Sequence, residues 1–244
     1  MERPQDLRLS DCGDCPIRHR AVCSRCEGDE LAHLNEIKTY KVYQAGETLV
    51  WGGDEMEHVA SIVTGAASIA QTLEDGRRQM VGLLLPSDFI GRPGRKTSPF
   101  DVTAMAETVV CRFKRREFEA LIEDSPAVSG RLLEMTLDEL EAARLWMTVL
   151  GRKTAREKVA SFLSIVAARR AFLTPDAVGR EIAFDLPLSR EAIADYLGLT
   201  IETISRQISS LKKDGVISLD GARHVRVPDY DTLRAVAGDD ATAI

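Results

Sequence analysis

Short apolar runs separated by glycine-containing turns occupy residues 40–118 of the chain. Runs of this length between turn residues suit strands better than helices. Many short strands at such spacing are typical of a β-sandwich or β-roll. The runs are residues 48–51, 60–63, 67–70 and 80–85, and the breaks include residues 52–54, 64–65, 74–76 and 86–88.

From residue 125 onward the apolar positions change to helical spacing. Leu133, Leu137, Leu140 and Met147 follow steps of four, three and seven residues, and Arg144 takes the one polar position in the series. So narrow a stripe on a long helix predicts a two-stranded helix pair, and therefore a homodimer. The alternative is that this helix packs only on its own β-rich domain.

Gly151 is expected to end that helix and to mark a domain boundary. A further helix is predicted to begin near Thr154. Its apolar face is formed by Val159, Phe162, Leu163 and Val166. The chain is therefore predicted to have four parts. They are a cysteine-rich segment (1–35), a β-rich domain (36–124), a dimerisation helix (125–150) and a C-terminal domain (151–244).

Two short helices joined by a glycine turn are predicted in the C-terminal domain. Ser189 can cap the first helix, and Gly198 can end it in a left-handed conformation. Thr200 can cap the second helix, which stops at Gly215. This is helix-turn-helix spacing, and the β-hairpin signal in residues 216–227 adds the wing of a DNA-binding winged helix.

The second of these helices has two different faces. The set expected to face the core is Ile204, Ile208 and Leu211. Glu202, Ser205 and Arg206 lie on the opposite face, in the half of the helix where recognition helices touch base edges. Arg can bond a guanine and Glu can accept from a cytosine amino group, so these three residues are predicted to bind DNA. The plainer interpretation is an amphipathic helix with a solvated polar face.

The charge of the chain permits a nucleic-acid partner without requiring one. The formal net charge is −6. Residues 1–150 carry 18 Lys and Arg against 25 Asp and Glu, whereas residues 151–244 carry 14 against 13. A nearly neutral C-terminal domain can bind double-stranded DNA if its cations share one face.

Several classes of protein are disfavoured by the sequence. No apolar run approaches the roughly 18 residues that span a membrane. The N-terminus lacks a signal-peptide pattern, so we expect a cytoplasmic protein without a membrane partner. The chain has no nucleophile elbow, phosphate-binding loop or dinucleotide fingerprint. Its four histidines show no metal-ligand spacing, and an enzyme is therefore not expected.

Four of the five cysteines follow the spacing Cys12-x2-Cys15-x7-Cys23-x2-Cys26, and Cys111 stands apart. This segment lacks a sustained apolar period, so something other than a core is expected to order it. In a cytosolic chain the pattern favours metal or redox chemistry over disulfides. The four N-terminal thiolates would suit a zinc site, whereas three of them with Cys111 would suit an iron–sulfur cluster. Ordinary thiols are the remaining alternative.

These motifs together resemble the CRP/FNR superfamily of dimeric transcription regulators. Gly46-Glu47 and residues 74–76 and 85–91 look like the family's β-roll, a jelly roll of the cyclic-nucleotide-binding type. Residues 197–206, LGLTIETISR, are similar to the recognition element of the FNR branch. The cysteine spacing is similar to that of the oxygen-sensing, FnrL-type members. The resemblance implies an α+β protein with an N-terminal β-roll, a long dimerisation helix and a C-terminal winged helix-turn-helix.

The resemblance also implies a cofactor and partners. In the oxygen-sensing members three N-terminal cysteines and one in the β-roll bind a [4Fe–4S] cluster. Cys12, Cys15, Cys23 and Cys111 match these positions, while Cys26 is left over and could replace Cys23. The intact cluster is expected to favour the DNA-binding dimer, and oxygen is expected to release the DNA. A palindromic operator such as TTGAT-N4-ATCAA and a contact with RNA polymerase are implied in the same way.

A cyclic nucleotide is not expected to bind. The nucleotide-binding branch of the superfamily has an Arg-Ser pair in its phosphate-binding turn, where this chain has Phe100 and Asp101. A carboxylate at that point would repel a phosphate.

Overall fold

The computed structural model describes residues 11–173 and 181–239, and they divide into two compact units, one up to Leu140 and one from Glu141. The first unit is rich in β-strands. Its elements are α1 (Gly28–Ile37), β1 (Lys38–Tyr43), β2 (Thr48–Val50), β3 (His58–Thr64), β4 (Ala67–Thr72), β5 (Arg78–Leu84), β6 (Phe89–Ile90), β7 (Asp101–Ala104), β8 (Thr108–Lys114), α2 (Arg115–Asp124) and the first half of α3 (Pro126–Arg152).

The strands of this unit form two antiparallel sheets, with the orders β1-β8-β3-β6 and β2-β7-β4-β5. The apolar runs predicted as strands lie in β2, β3, β4 and β5, and the prediction of a β-roll is confirmed. Its core includes Tyr43, Ile62, Leu84 and Val110. Because side chains alternate along a strand, Cys111 points to the face of its sheet opposite to Val110 and this core.

The long helix α3 does not stop at Gly151, where the sequence analysis placed its end. Gly151 lies in the last turn, and the helix continues to Arg152. A glycine at this point is tolerated because it lowers helix stability by only about 1 kcal/mol. The next helix is started by Thr154: its Oγ1 accepts from the Glu157 N–H at 3.4 Å, and Glu157 Oε2 accepts from the Thr154 N–H at 2.7 Å. This reciprocal capping box sets the break between the helices.

The second unit contains the predicted winged helix-turn-helix. Its elements after α3 are α4 (Ala155–Leu173), β9 (Ile182–Asp185), α5 (Arg190–Leu197), α6 (Ile201–Lys213), β10 (Ser218–Asp220), β11 (His224–Val227) and α7 (Tyr230–Ala237). The predicted apolar face of α4 is buried, and the wing hairpin β10–β11 pairs further with β9. Strand β9 was not predicted, because its alternation of buried Ile182 and Phe184 is too short to stand out. None of the helices among the described residues is long and apolar enough to span a bilayer.

Candidate metal centre and DNA-binding helix

Tight turns and a small apolar cluster order the cysteine segment. The Ala21 N–H donates to the Ile17 carbonyl at 2.9 Å, and the Cys26 N–H donates to the Cys23 carbonyl at 3.1 Å. Ile17, Ala21 and Val22 are almost completely buried. The expectation that no core orders this segment is therefore wrong in part, because three apolar side chains are too few to give a visible period.

Arg18 holds the second cysteine pair in place. Its guanidinium donates to the Cys23 carbonyl at 2.8 Å and to the Cys26 carbonyl at 2.7 Å. A planar guanidinium with several donors is suited to bridging two acceptors in this way. The sequence analysis missed this role, because nothing in the spacing distinguishes Arg18 from a solvent-exposed arginine.

Cys12 lies against the start of β1. Its backbone N–H donates to Asn35 Oδ1 at 3.1 Å. Lys38 Nζ donates to the same oxygen and to Cys12 Sγ, the latter at 3.5 Å. Lys38 is the first residue of β1, and β1 pairs with β8, the strand of Cys111. These contacts anchor the cysteine segment on the sheet that carries the fifth cysteine.

Cys111 lies on a central strand of its sheet. Its cross-strand neighbours are Tyr40 on β1 and Ser61 on β3. Residues directly opposite in an antiparallel pair share a face, with Cβ atoms about 4.5–5.5 Å apart. The Cys111 side chain is buried, at 7% exposure. The thiol therefore lies in a row between two hydroxyl-bearing residues, away from water.

All five thiols are free, and burial is the largest cause of the raised pKa values of Cys15, Cys23, Cys26 and Cys111. Burial, followed by the negative charges of Cys15, Cys12 and Cys26, raises the pKa of Cys23 to about 12. Burial raises the pKa of Cys111 far above its ordinary value, and the charges of Cys15, Cys12 and Cys23 add to this effect. Such effects act only over short distances inside a protein. Cys12, Cys15, Cys23 and Cys111 therefore share one electrostatic environment.

Cys26 lies near these thiols but also beside a carboxylate. Burial, followed by the carboxylate of Glu30, raises the pKa of Cys26 to about 11, with a smaller contribution from Cys12. A carboxylate beside a thiol disfavours the thiolate that a metal ligand must become.

The donor set fits a soft metal group. Within residues 11–173 and 181–239, no three Cys, His, Asp or Glu side chains form a ready-made site for a single metal ion. Cysteine thiolates are ligands of both structural zinc and iron–sulfur clusters, so the residues present fit either group.

Two side chains of α3 hold the cysteine segment. Arg131 Nη2 donates to the carbonyl oxygen of Arg20 at 2.6 Å. Glu134 forms ion pairs with Arg25 at 2.6 Å and with Arg131 at 3.2 Å. Arg20 lies between Cys15 and Cys23 in the chain, and Arg25 lies between Cys23 and Cys26. The cysteine loop is thus in direct contact with the long helix.

The predicted dimer stripe on α3 is exposed. Large apolar side chains normally avoid water, so an exposed row of them marks an interaction surface. The exposed fractions are 61% for Leu133, 56% for Leu137, 45% for Leu140 and 71% for Met147. This exposure contradicts the alternative in which the stripe packs only on its own β-rich domain.

The helix-turn-helix forms through the predicted local signals. The Ser189 hydroxyl accepts from the Ala192 N–H at 3.1 Å, and Thr200 Oγ1 accepts from the Thr203 N–H at 3.2 Å. Gly198 ends α5 in the left-handed region, at φ 62° and ψ 43°. Each terminus is therefore satisfied by the chain itself, which fixes the direction of α6.

The two faces of α6 separate as predicted. Ile204, Ile208 and Leu211 are buried, with exposures of 2% or less. Glu202, Ser205 and Arg206 are exposed. Hydrogen bonds from the Glu202 backbone and the Thr200 hydroxyl lower the pKa of Glu202, which keeps it ionised. In the part of the chain that the structure describes, the Arg206 guanidinium makes no hydrogen bond or ion pair, and it is available to a partner.

Comparisons with known proteins agree with these features. Residues 40–125 match the cyclic nucleotide-binding domain family, and residues 157–236 match the Crp-like helix-turn-helix domain family. The chain is 61% identical to the transcriptional activator protein FnrL of Cereibacter sphaeroides, over 96% of this chain and 94% of that protein. It is 38% identical to the nitrogen fixation regulation protein FixK of Bradyrhizobium diazoefficiens, over 85% of this chain and 86% of that protein.

Solved structures show the same architecture. FixK2 from Bradyrhizobium japonicum superposes with a TM-score of 0.72 at 35% identity, covering 85% of this chain and all of that one. A CooA mutant from Carboxydothermus hydrogenoformans has a TM-score of 0.66 at 22% identity, over 86% of this chain and 92% of that one, which shows the fold alone. FnrL and FixK are named as regulators and not as enzymes. This chain belongs to the CRP/FNR family of transcription regulators.

Proposed function

We propose that the protein is an oxygen-responsive transcription activator that binds palindromic DNA as a homodimer. In this proposal Cys12, Cys15, Cys23 and Cys111 hold a [4Fe–4S] cluster at low oxygen. The observation that carries the proposal is the pairing of β1 with β8, which brings Cys111 to the strand against which Cys12 is anchored. The 61% identity to FnrL, named a transcriptional activator, supports it, and activation implies a contact with RNA polymerase.

Cys23 is the third N-terminal ligand in this proposal, and Cys26 is not. Cys23 is among the thiols that raise the pKa of Cys111, whereas Cys26 is not, and the pKa of Cys26 is raised by the Glu30 carboxylate. Arg18 bonds the carbonyls of both residues and so fixes the loop without occupying either sulfur. Cys26 then serves as a buried apolar side chain, a common role for a free cysteine.

The cysteine segment acts on the dimer through α3. A bound cluster would supply an oxygen-labile crosslink between this segment and β8. Arg131 and Glu134 hold the Arg20 carbonyl and the Arg25 guanidinium, so a displaced segment removes both partners from α3. Leu133 and Leu137 lie beside these residues on the same helix and face the second copy of the chain. A change in the segment therefore alters the helix where the dimer forms.

Glu202, Ser205 and Arg206 contact the DNA bases in this proposal. A two-fold dimer implies half-sites about one helical turn apart, roughly 10 base pairs from centre to centre. TTGAT-N4-ATCAA is the expected operator, with Arg206 on a guanine and Glu202 on a cytosine amino group. A cyclic nucleotide has no role in this proposal, because the family resemblance assigns Asp101 to the phosphate-binding turn, where its carboxylate would repel a phosphate. The Gly52 N–H donates to this carboxylate at 2.8 Å.

The test is DNA binding by protein purified without oxygen, measured before and after exposure to air, together with metal analysis. We expect a brown protein that binds the operator anaerobically and releases it as the colour bleaches. A colourless protein that contains zinc and binds DNA equally well in air would contradict this expectation. That result would establish the alternative, a regulator with a structural zinc site and no oxygen sensing.

A further inference from the structure

Two hydroxyl groups flank Cys111 on the side of the sheet opposite to the core of the roll. Tyr40 is its neighbour on β1 and Ser61 its neighbour on β3. The Tyr40 hydroxyl oxygen and Ser61 Oγ are both buried, and neither has a hydrogen-bond partner among the described residues. Buried hydroxyls are nearly always paired, because leaving one unpaired is unfavourable. Two unpaired hydroxyls on either side of one thiol call for a common explanation.

Tyr40 is also close to the N-terminal cysteine segment. Lys38 Nζ lies 5.7 Å from the centroid of the Tyr40 ring and 3.5 Å from Cys12 Sγ, so one lysine of β1 contacts both. Phenol and serine hydroxyls are protonated at neutral pH and can each donate a hydrogen bond. The sulfur atoms of metal-bound thiolates carry negative charge and can accept such bonds.

We infer that the Tyr40 and Ser61 hydroxyls donate hydrogen bonds to sulfur atoms at the Cys111 corner of the cluster, an inference that rests on the proposed function. Such hydrogen bonds stabilise the more negative, reduced form of a cluster and so raise its reduction potential. On exposure to air one electron would pass from the cluster to O2, which would be reduced to superoxide, and neither hydroxyl would lose its proton or form a covalent bond. Tyr40 and Ser61 are thus positioning residues that set how quickly oxygen is sensed.

The chain offers a matched control on the same strand. Tyr43 lies three residues after Tyr40, and its side chain packs in the core of the roll on the other face of the sheet. Tyr40→Phe and Tyr43→Phe each remove one phenolic oxygen and leave the ring in place. Only the first of these changes removes a proposed hydrogen bond to the cluster.

The experiment compares wild type, Tyr40→Phe, Ser61→Ala and Tyr43→Phe, all purified without oxygen. Iron and sulfide content are measured first, then the Fe–S stretching frequencies, the reduction potential and the rate of bleaching in air-saturated buffer. We expect full iron in all four proteins. One neutral hydrogen bond corresponds to about a two- to tenfold effect. Tyr40→Phe and Ser61→Ala should therefore bleach about two- to tenfold faster, with a lower potential and shifted Fe–S frequencies, whereas Tyr43→Phe should match wild type.

The possible outcomes separate the inference from the proposed function. Unchanged bleaching, potential and frequencies in an iron-loaded Tyr40→Phe protein would overturn the inference and leave the cluster proposal standing. Wild-type protein that takes up no iron would overturn both. Should Ser61→Ala fail to fold, Tyr40→Phe decides alone, because it preserves the shape of the side chain.

Discussion

The recognition helix and the cysteine segment hold their functional side chains in opposite ways. At α6 the chain caps its own helix, buries Ile204 and Ile208, and leaves Glu202 and Arg206 charged in water. At the proposed metal centre the candidate ligands are free thiols, of which Cys12 and Cys111 are buried, and the buried hydroxyls of Tyr40 and Ser61 beside Cys111 are unpaired within the described residues. The first region is complete without its partner, whereas the second, in our proposal, is completed by a metal group.

This difference follows from the chemistry that each region performs. A surface that binds base edges must be exposed and correctly oriented before the DNA arrives. A metal centre needs deprotonated ligands that are shielded from water, so its site forms together with the metal. Changes in the recognition helix should therefore affect DNA binding alone, while changes around the cysteines should affect metal, dimer and DNA together.

The largest expected effect is on the DNA-binding side. Arg206→Ala removes one bidentate base contact from each half-site, at about 1–3 kcal/mol per half-site. Specific affinity should fall by at least about 30-fold, with iron content and dimerisation unchanged. A binding selection on randomised half-sites should show relaxed preference at one position.

Lys212→Ala is the control, since loss of a phosphate contact should weaken binding to all sequences and flatten the salt dependence. An unchanged base preference in Arg206→Ala would show that this face does not select the sequence.

A second change affects the helix that connects the two regions. Leu140→Glu places like charges across the dimer stripe and should weaken the anaerobic dimer at least about tenfold, with the iron content preserved. Leu145→Glu is the control, because Leu145 is as exposed as the stripe residues but lies outside their spacing. Sedimentation would measure both. Equal dimer strength in the two variants would place the interface elsewhere.

The raised thiol pKa values predict a smaller effect of pH on the metal-free protein. Since burial raises the pKa of Cys23 to about 12, the folded state keeps a proton that the unfolded chain loses near pH 9. Stability from this group is complete below pH 9 and falls as the pH rises toward 12, by about 1 kcal/mol at pH 10. Urea unfolding should therefore show a lower midpoint at pH 10 than at pH 8, and Cys23→Ala should reduce the difference. If the urea midpoint of Cys23→Ala fell between pH 8 and pH 10 as much as that of wild type, other titrating groups would be the cause.

The smallest expected effect concerns the link between the cysteine segment and α3. The Arg25–Glu134 pair is partly exposed and contributes no more than about 1 kcal/mol. Glu134→Gln should leave the iron content unchanged and reduce the difference in dimer strength between anaerobic and aerated protein by about two- to fivefold. Glu117→Gln, which removes the surface pair with Lys114, is the control and should behave as wild type. If the difference in dimer strength between anaerobic and aerated protein were as large in Glu134→Gln as in wild type, the Arg25–Glu134 ion pair would not couple the cysteine segment to the dimer.

Local signals made the recognition helix predictable. Ser189, Gly198 and Thr200 act within three or four residues of their own positions, and the apolar period of α6 needs no knowledge of the rest of the chain. Four strands of the roll, β2 to β5, were predictable for a similar reason, as short apolar runs between turns. The end of α3 was wrongly predicted at Gly151, because a single glycine is a weaker stop signal than the capping box at Thr154.

The metal centre could be predicted only in part, because its geometry depends on contacts between distant residues. The cysteine spacing indicated soft-metal chemistry, but it left zinc and an iron–sulfur cluster equally open. Arg131 and the Arg20 carbonyl are 111 positions apart, and no periodic pattern connects them. The row of Tyr40, Cys111 and Ser61 depends on the registers of two strand pairs, which the sequence alone does not determine.

The most direct test of the account is the iron and acid-labile sulfide content of wild type, Cys111→Ala and Cys26→Ala, all purified without oxygen. Wild type and Cys26→Ala should each contain about four iron and four sulfide per chain, and Cys111→Ala should contain none. Full metal content in Cys111→Ala would contradict the account, because the cysteine segment would then bind its metal without the β-roll.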